Sequence, residues 1–257
     1  MQYMSSRASR AIRSSLVAAA FLAPTIARAQ GLPPAKELIA KYVAATGADS
    51  WKTHKSSRMK ATMDMPAQGM SAAMEVLHIY PNHVYTKIDI PGMGMMISGF
   101  DGDNAWAVTP MTGPRVFSGP ELEAMRTESD PAASYTRQSV EIASSETVEK
   151  TTIAGQECYK VKHTWKSGRV SFDCFSVADG LLIATQSKQT TPMGEIDMSA
   201  TLGAYKDFGG FKRATTMTQE VMGQQQIFTI SSWEWDNVDV KEMEVPAEIK
   251  AMLPKKP

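Results

Sequence analysis

The chain has 257 residues, 43% hydrophobic and 21% charged, which is enough apolar material for a core and too much for a disordered chain. Its 27 basic and 27 acidic residues balance, so the cationic excess that nucleic acid demands is missing and nucleic acid is not expected as a partner. Two cysteines and four histidines leave little material for a metal-built or thiol-based protein.

The first 29 residues read as a signal peptide rather than as part of the globule. Arg7, Arg10 and Arg13 give a positive start, Leu16 to Ala23 an apolar stretch, and Ala27-Arg28-Ala29 a small-x-small cleavage site. Cleavage before Gln30 leaves residues 30–257 as a single β domain, with 23 basic against 27 acidic residues because the leader carries four arginines and no acid. The apolar stretch is shorter than the roughly 20 residues of a membrane span, and nothing comparable follows. Gln30 stands where a lipid-anchored chain would have cysteine, so the expected product is soluble, exported to the periplasm and monomeric.

Pro34 to Thr46 places Leu38, Ile39, Tyr42 and Val43 at the three-and-four spacing of an amphipathic helix, with Gly47 as its C-cap. Arg58 to Met65 alternates, with Met59, Ala61, Met63 and Met65 on one side. Pro81-Asn82 supplies a turn, and His83 to Ile90 alternates again with Val84, Ile88 and Ile90 inward. Gly119 to Ser129 is helical around Leu122 and Met125. Glu157 to Trp165 and Arg169 to Ser176 form a hairpin. Glu195 to Tyr205 carries Ile196, Met198, Ala200, Leu202 and Ala204 on one parity. Turns at Asp207 to Gly210 and at Met222-Gly223 separate it from strands at Phe211 to Val221 and at Gln225 to Asp236. Val245 to Leu253 ends the chain as a helix with Pro246 in its first turn. Successive antiparallel strands with one polar side imply a mainly β protein, a strongly curved antiparallel sheet whose apolar concave face is covered by a few helices.

Cys158 and Cys174 lie on the two strands of one hairpin, in a chain bound for an oxidising compartment. A three-residue loop, Lys166-Ser167-Gly168, puts them on one face; the two-residue loop Ser167-Gly168 puts them on opposite faces. Compartment and proximity favour the disulfide. No nucleophile elbow, phosphate-binding glycine loop or zinc-binding helix motif occurs, and His78 and His83 lack a third ligand, so neither catalysis nor a metal or other cofactor is expected.

Methionine is over-used, 18 residues of which two fall in the leader, and Met59, Met63, Met65, Met74, Met198 and Met217 share the apolar parity of strands. Flexible thioether side chains adapt to variable apolar shapes, so a concavity lined by Met59, Met63, Ile88, Ile90, Met198 and Leu202 can hold a hydrophobic ligand. Trp106 and the Gly92–Met96 loop, with Met95, are expected at its mouth. An ordinary methionine-filled core accounts for the same residues, and Met63-x-Met65 with Met93-x-Met95-Met96 offers a less favoured Cu(I) reading.

Tyr80-Pro81-Asn82 before a strand, the Pro91-Gly92 loop and Asp101-Gly102-x-x-x-Trp106 with Pro110 resemble the LolA/LolB-like periplasmic lipoprotein carriers. Tyr159-Lys160-Val161, Gly180-Leu181-Leu182, Thr191-Pro192-Met193-Gly194, Tyr205-x-x-x-Gly209-Gly210 and Pro246-x-x-Ile249 extend the resemblance to outer-membrane lipoprotein-sorting-like proteins. The resemblance implies a half-open β-barrel plugged by helices and a non-catalytic carrier or sensor of lipid or acylated protein cargo, with envelope or membrane proteins as possible partners. An envelope interaction module with a filled core is the alternative. In the carriers an arginine after the proline turn holds the lid helices closed; His83-Val84-Tyr85-Thr86-Lys87 has none, so that role does not carry over.

Overall fold

The structure is a computed structural model that describes residues 31–191, 194–221 and 223–253. The segment expected as a signal peptide, Pro192-Met193 of the Thr191-Pro192-Met193-Gly194 motif and Met222 of the expected Met222-Gly223 turn lie outside them. Helix α1 (Ala35–Thr46) leads into a 3-10 turn at Ala48–Thr53. Six strands follow: β1 (Ser56–Met65), β2 (Met70–Ile79), β3 (His83–Ile90), β4 (Gly94–Asp101), β5 (Ala105–Thr109) and β6 (Gly113–Val116). Helix α2 (Gly119–Ser129) and a five-residue π-type helix, Ala132–Thr136, come next. Seven more strands complete the sheet: β7 (Ile142–Ile153), β8 (Gln156–Trp165), β9 (Val170–Ser176), β10 (Leu182–Thr191), β11 (Gly194–Asp207), β12 (Lys212–Val221) and β13 (Gln224–Trp235). The described chain ends with α3 (Ala247–Met252), preceded by Pro246 as its N-cap rather than in the first turn.

All thirteen strands belong to one antiparallel sheet in the order β6-β5-β4-β3-β2-β1-β13-β12-β11-β10-β9-β8-β7. Each strand pairs with its chain neighbour except where β1 meets β13, which joins two meanders into one sheet. β6 and β7 remain as edges, so the barrel is half-open. A regular alternation makes the inner face easy to follow: Met59, Ala61, Met63 and Met65 oppose Val76, Met74, Ala72 and Met70 across β1 and β2.

Three helical pieces cover this inner face. α1 lays Leu38, Ile39 and Tyr42 on Val161, Phe175 and Leu182, each apolar side chain contributing roughly 1.5–3 kcal/mol by leaving water. α2 packs Leu122 and Met125 against Val76, Val84, Phe100 and Ala105. Tyr135 and Ala48 sit on Phe211 and Trp233. Gly47 ends α1 at φ 60 and must stay small, because a Cβ there would stand 2.0 Å from the Gly210 carbonyl oxygen.

The outer face departs from the expected polar surface. The segment 236–253 folds back over β2–β6, burying Leu77, Tyr85 and Trp106 under Ile249, Val238, Met243 and Val245. Arg58 pins it there by reaching Glu242 at 2.7 Å and Glu75 at 2.7 Å. On the other wing the Cys158–Cys174 disulfide closes with Cα atoms 5.6 Å apart. Thr164 opposes Val170 and Cys158 opposes Ser176, which is the three-residue loop register.

Candidate functional site

The inner face carries a continuous apolar row. Leu202 opposes Met217, Met217 opposes Phe228, Phe228 opposes Met63, and Met63 opposes Ala72, so the row crosses five strands from β11 to β2. A second row, Ala61, Met74, Ile88 and Met96, runs beside it. Met63, Met65, Ala72 and Ile90 form one packed cluster with Met70, Ile88, Met96 and Phe228. Every member is a strand residue; the cluster lies apart from the side chains that α1, α2 and Ala132–Thr136 lay on the sheet.

The predicted residues divide accordingly. Met63, Ile88 and Ile90 come together in that cluster; Met59 flanks it on β1, touching the aromatic and α2 clusters. Leu202 is half-buried against α1. Met198 opposes Val221 and lines a groove of about 570 Å³ with Ser187, Ile196 and Glu220. Two assignments are corrected. Trp106 is 1% exposed on the outer face, where it opposes Gly99 and packs on Tyr85, beside a void of only about 70 Å³. A Cβ at Gly99 would fall 2.5 Å from the indole, so the ring is seated on that glycine and not at a mouth. Met95 opposes Asp89 and is 48% exposed, also on the outer parity; its neighbour Met96 is the inward residue. Ala204 stands at φ 50 and is exposed, which ends the regular alternation of β11.

Above the methionine rows lies an aromatic cluster that the sequence did not single out. Tyr135, Phe211 and Trp233 surround the Arg213 guanidinium, whose carbon lies 4.9, 5.3 and 5.3 Å from the three ring centres. His78 stacks on Tyr80 at 6.0 Å and meets Tyr135 edge-on at 6.2 Å. Burial drives the His78 pKa down to about 3, with the Arg213 charge adding to the effect. Burial likewise raises the phenols of Tyr80 and Tyr135, and Tyr80 shares a 2.8 Å hydrogen bond with Ser57. The indole N–H groups of Trp51 and Trp233 are buried without a hydrogen-bond partner among the described residues.

The opposite wing has a polar floor. Asp173 Oδ2 lies 3.1 Å from Arg137 Nε and 3.1 Å from His163 Nε2, and His163 Nδ1 shares a 2.8 Å hydrogen bond with Ser145 Oγ. Burial alone would raise the Asp173 pKa, but the Arg137 charge and the His163 contact outweigh it and hold the carboxyl below its usual range. Arg137 follows the Ala132–Thr136 helix and also donates to the Ala133 carbonyl at 3.2 Å, so the network ties that helix to β9. Its members are 18, 10 and 36 residues apart in sequence, and only the strand register brings them together. Among the described residues no group of three or more His, Cys, Asp or Glu could hold a metal ion, and no helix is long and apolar enough to cross a membrane.

No protein-family model matches the sequence, and no curated protein matches it. Solved structures do. A DUF1329 family protein from Desulfovibrio piger superposes with a TM-score of 0.56 at 14% identity, over 80% of this chain and 97% of its own length. A LolA superfamily protein from Nitrosomonas europaea gives 0.55 at 11% identity, over 83% of this chain and 99% of its own. The chain therefore has a LolA-like fold, an unclosed antiparallel sheet whose inner face is covered by helices.

Proposed function

We propose that this protein is a non-catalytic carrier or sensor of lipid or acyl chains, exported to the periplasm after cleavage before Gln30. The observation that carries the reading is the methionine-rich cluster of Met63, Met65, Met70, Ile88, Ile90, Met96 and Phe228. It is built from strands alone, within a fold whose remaining inner face is covered by helices. Flexible thioether side chains can re-form around an alkyl chain that has no fixed shape, which suits them to carrying rather than to selecting by polar contacts. The tripartite leader supports export, and the LolA-like fold supports an envelope role by analogy of fold.

The non-catalytic part rests on the inner-face chemistry. The nearest approach to a catalytic array, Ser145–His163–Asp173, has its carboxylate already paired with Arg137, and His163 is 2% exposed. Native mass spectrometry of protein purified from the envelope, with titration by a fluorescent fatty acid, tests the carrier reading. Co-purified lipid and saturable uptake are expected. Bare protein that takes up no apolar probe would establish a filled core that binds only protein. Hydrolysis of p-nitrophenyl butyrate that disappears in Ser145→Ala would overturn the absence of catalysis.

A further inference from the structure

We infer that the inner face carries a seat for an acid group, in which Arg213 receives the carboxylate or phosphate head of the amphiphile whose tail lies on the methionine rows. The inference deepens the carrier reading and rests on it. Three observations lead to it. Arg213 makes no ion pair or hydrogen bond among the described residues; its contacts are the faces of Tyr135, Phe211 and Trp233. Arg213 is half-buried, and a guanidinium has five donors and no acceptor, so the ring faces offset its charge only in part and leave donors open to a ligand oxygen.

The second observation is independent of the charge. Trp233 is 8% exposed, yet its indole N–H has no hydrogen-bond partner among the described residues. Buried polar groups are nearly always satisfied, and an orphaned donor on a ring that holds an unpaired arginine marks a place where an acceptor is missing. An anionic oxygen group supplies what both the guanidinium and the indole N–H lack. A neutral ester or an ammonium head does not: the first brings no charge, and the second adds donors to donors.

The third observation is position. Arg213 and Met217 lie four residues apart on one face of β12, about 13 Å along the strand. Met217 belongs to the row that continues through Phe228 and Met63 to Ala72. A head at Arg213 thus places the following alkyl chain on the apolar floor, and the rings of Phe211 and Trp233 cover the first carbons. That order, cation and donors at one end with thioether side chains beyond, is the polarity of a single-chain acid.

Binding of cis-parinaric acid and of its methyl ester, followed by fluorescence on the wild-type protein, tests this. The acid should bind at least about tenfold more tightly than the ester, the scale of a charge-assisted hydrogen-bonded contact. Arg213→Met should remove that difference while leaving ester affinity unchanged. Equal affinity of acid and ester in the wild type, or a preference that survives Arg213→Met, would overturn the seat while leaving the carrier intact. If neither probe binds, the carrier reading and the seat fall together. Should the variant not fold, the wild-type comparison of acid with ester decides alone. Displacement of the bound acid by oleic acid assigns a carboxylate, and displacement by oleoyl lysophosphatidic acid but not by oleic acid assigns a phosphate. Displacement by neutral monoolein as effective as by either acid counts against the seat.

Discussion

Part of the inner face of β1–β4 and β13 is filled by methionines, whereas that of β7–β9 carries an ion network tied to the Ala132–Thr136 helix. Met63, Met65, Met70, Met96 and Phe228 meet one another without a polar atom among their side-chain tips except sulfur. Asp173, by contrast, is held from two sides by Arg137 and His163. Dispersion contacts between unbranched chains are individually weak and tolerate rearrangement, which is what the proposed carrier role requires of the first region. A buried ion pair is costly to break by removing one partner, so the second region fixes the short helix Ala132–Thr136 in place. Under the proposed carrier reading the two wings do different work: one holds a shape, and the other yields to one.

Breaking the polar wing should have the largest effect. Asp173→Asn leaves the Arg137 guanidinium, 23% exposed, beside a neutral amide, and a loss of about 3 kcal/mol is expected from urea unfolding midpoints. A loss below about 0.5 kcal/mol would show that the network contributes little to that wing. Opening the Cys158–Cys174 bridge by the double change Cys158→Ala and Cys174→Ala should cost on the order of 3 kcal/mol, the loop-closure value for a separation of 16 residues. Both cysteines are on the outer face, so uptake of an apolar probe by the folded variant should be unchanged.

Acid should act on the aromatic cluster between the wings. The folded pKa of His78 is lowered to about 3, so between that value and the unfolded value of about 6.5 the unfolded state binds the extra proton and stability falls as pH falls. The contribution is complete above about pH 6.5, and on the order of 2 kcal/mol should disappear between pH 7 and pH 5. His78→Phe keeps a ring against Tyr80 and Tyr135 and should flatten that dependence. An equally steep dependence in the variant would assign the effect to other groups.

Much of this architecture was legible where one strand face is apolar and the other is not. Arg58–Met65 and His83–Ile90 alternate cleanly, and their inward residues Met59, Met63, Ile88 and Ile90 lie on the expected face. Gly119–Ser129 is the helix read from Leu122 and Met125. Period-two reasoning failed where both parities are apolar. Gly94-Met95-Met96-Ile97 and Ala105-Trp106-Ala107-Val108 give no sign of which side faces in, because the segment 236–253 covers the outer side there. The Arg137–Asp173–His163–Ser145 network and the Arg213 rings were invisible for another reason. They are assembled by the register of neighbouring strands together with the placement of the Ala132–Thr136 segment, and no local spacing encodes such a pairing.

The smallest effect on stability, and the sharpest on uptake, is expected at Met198. It opposes Val221 and Ser187, is half-buried, and lines the 570 Å³ groove at the far end of β11 from the aromatic rings. An ammonium placed inside a packed core costs several kcal/mol, but one placed on a wall open to water extends its stem along the apolar surface and keeps its head solvated. Met198→Lys should therefore fold with a loss below about 1 kcal/mol. It should still lose uptake of parinaric methyl ester, because the lysine head occupies the end of the apolar floor. The neutral ester is the necessary probe, since a new cation could recruit an acid by charge alone. A variant that fails to fold, together with a wild type that takes up no ester, would mean that the methionine wing is as rigidly filled as the polar one, and the contrast between them would be one of composition without consequence for binding.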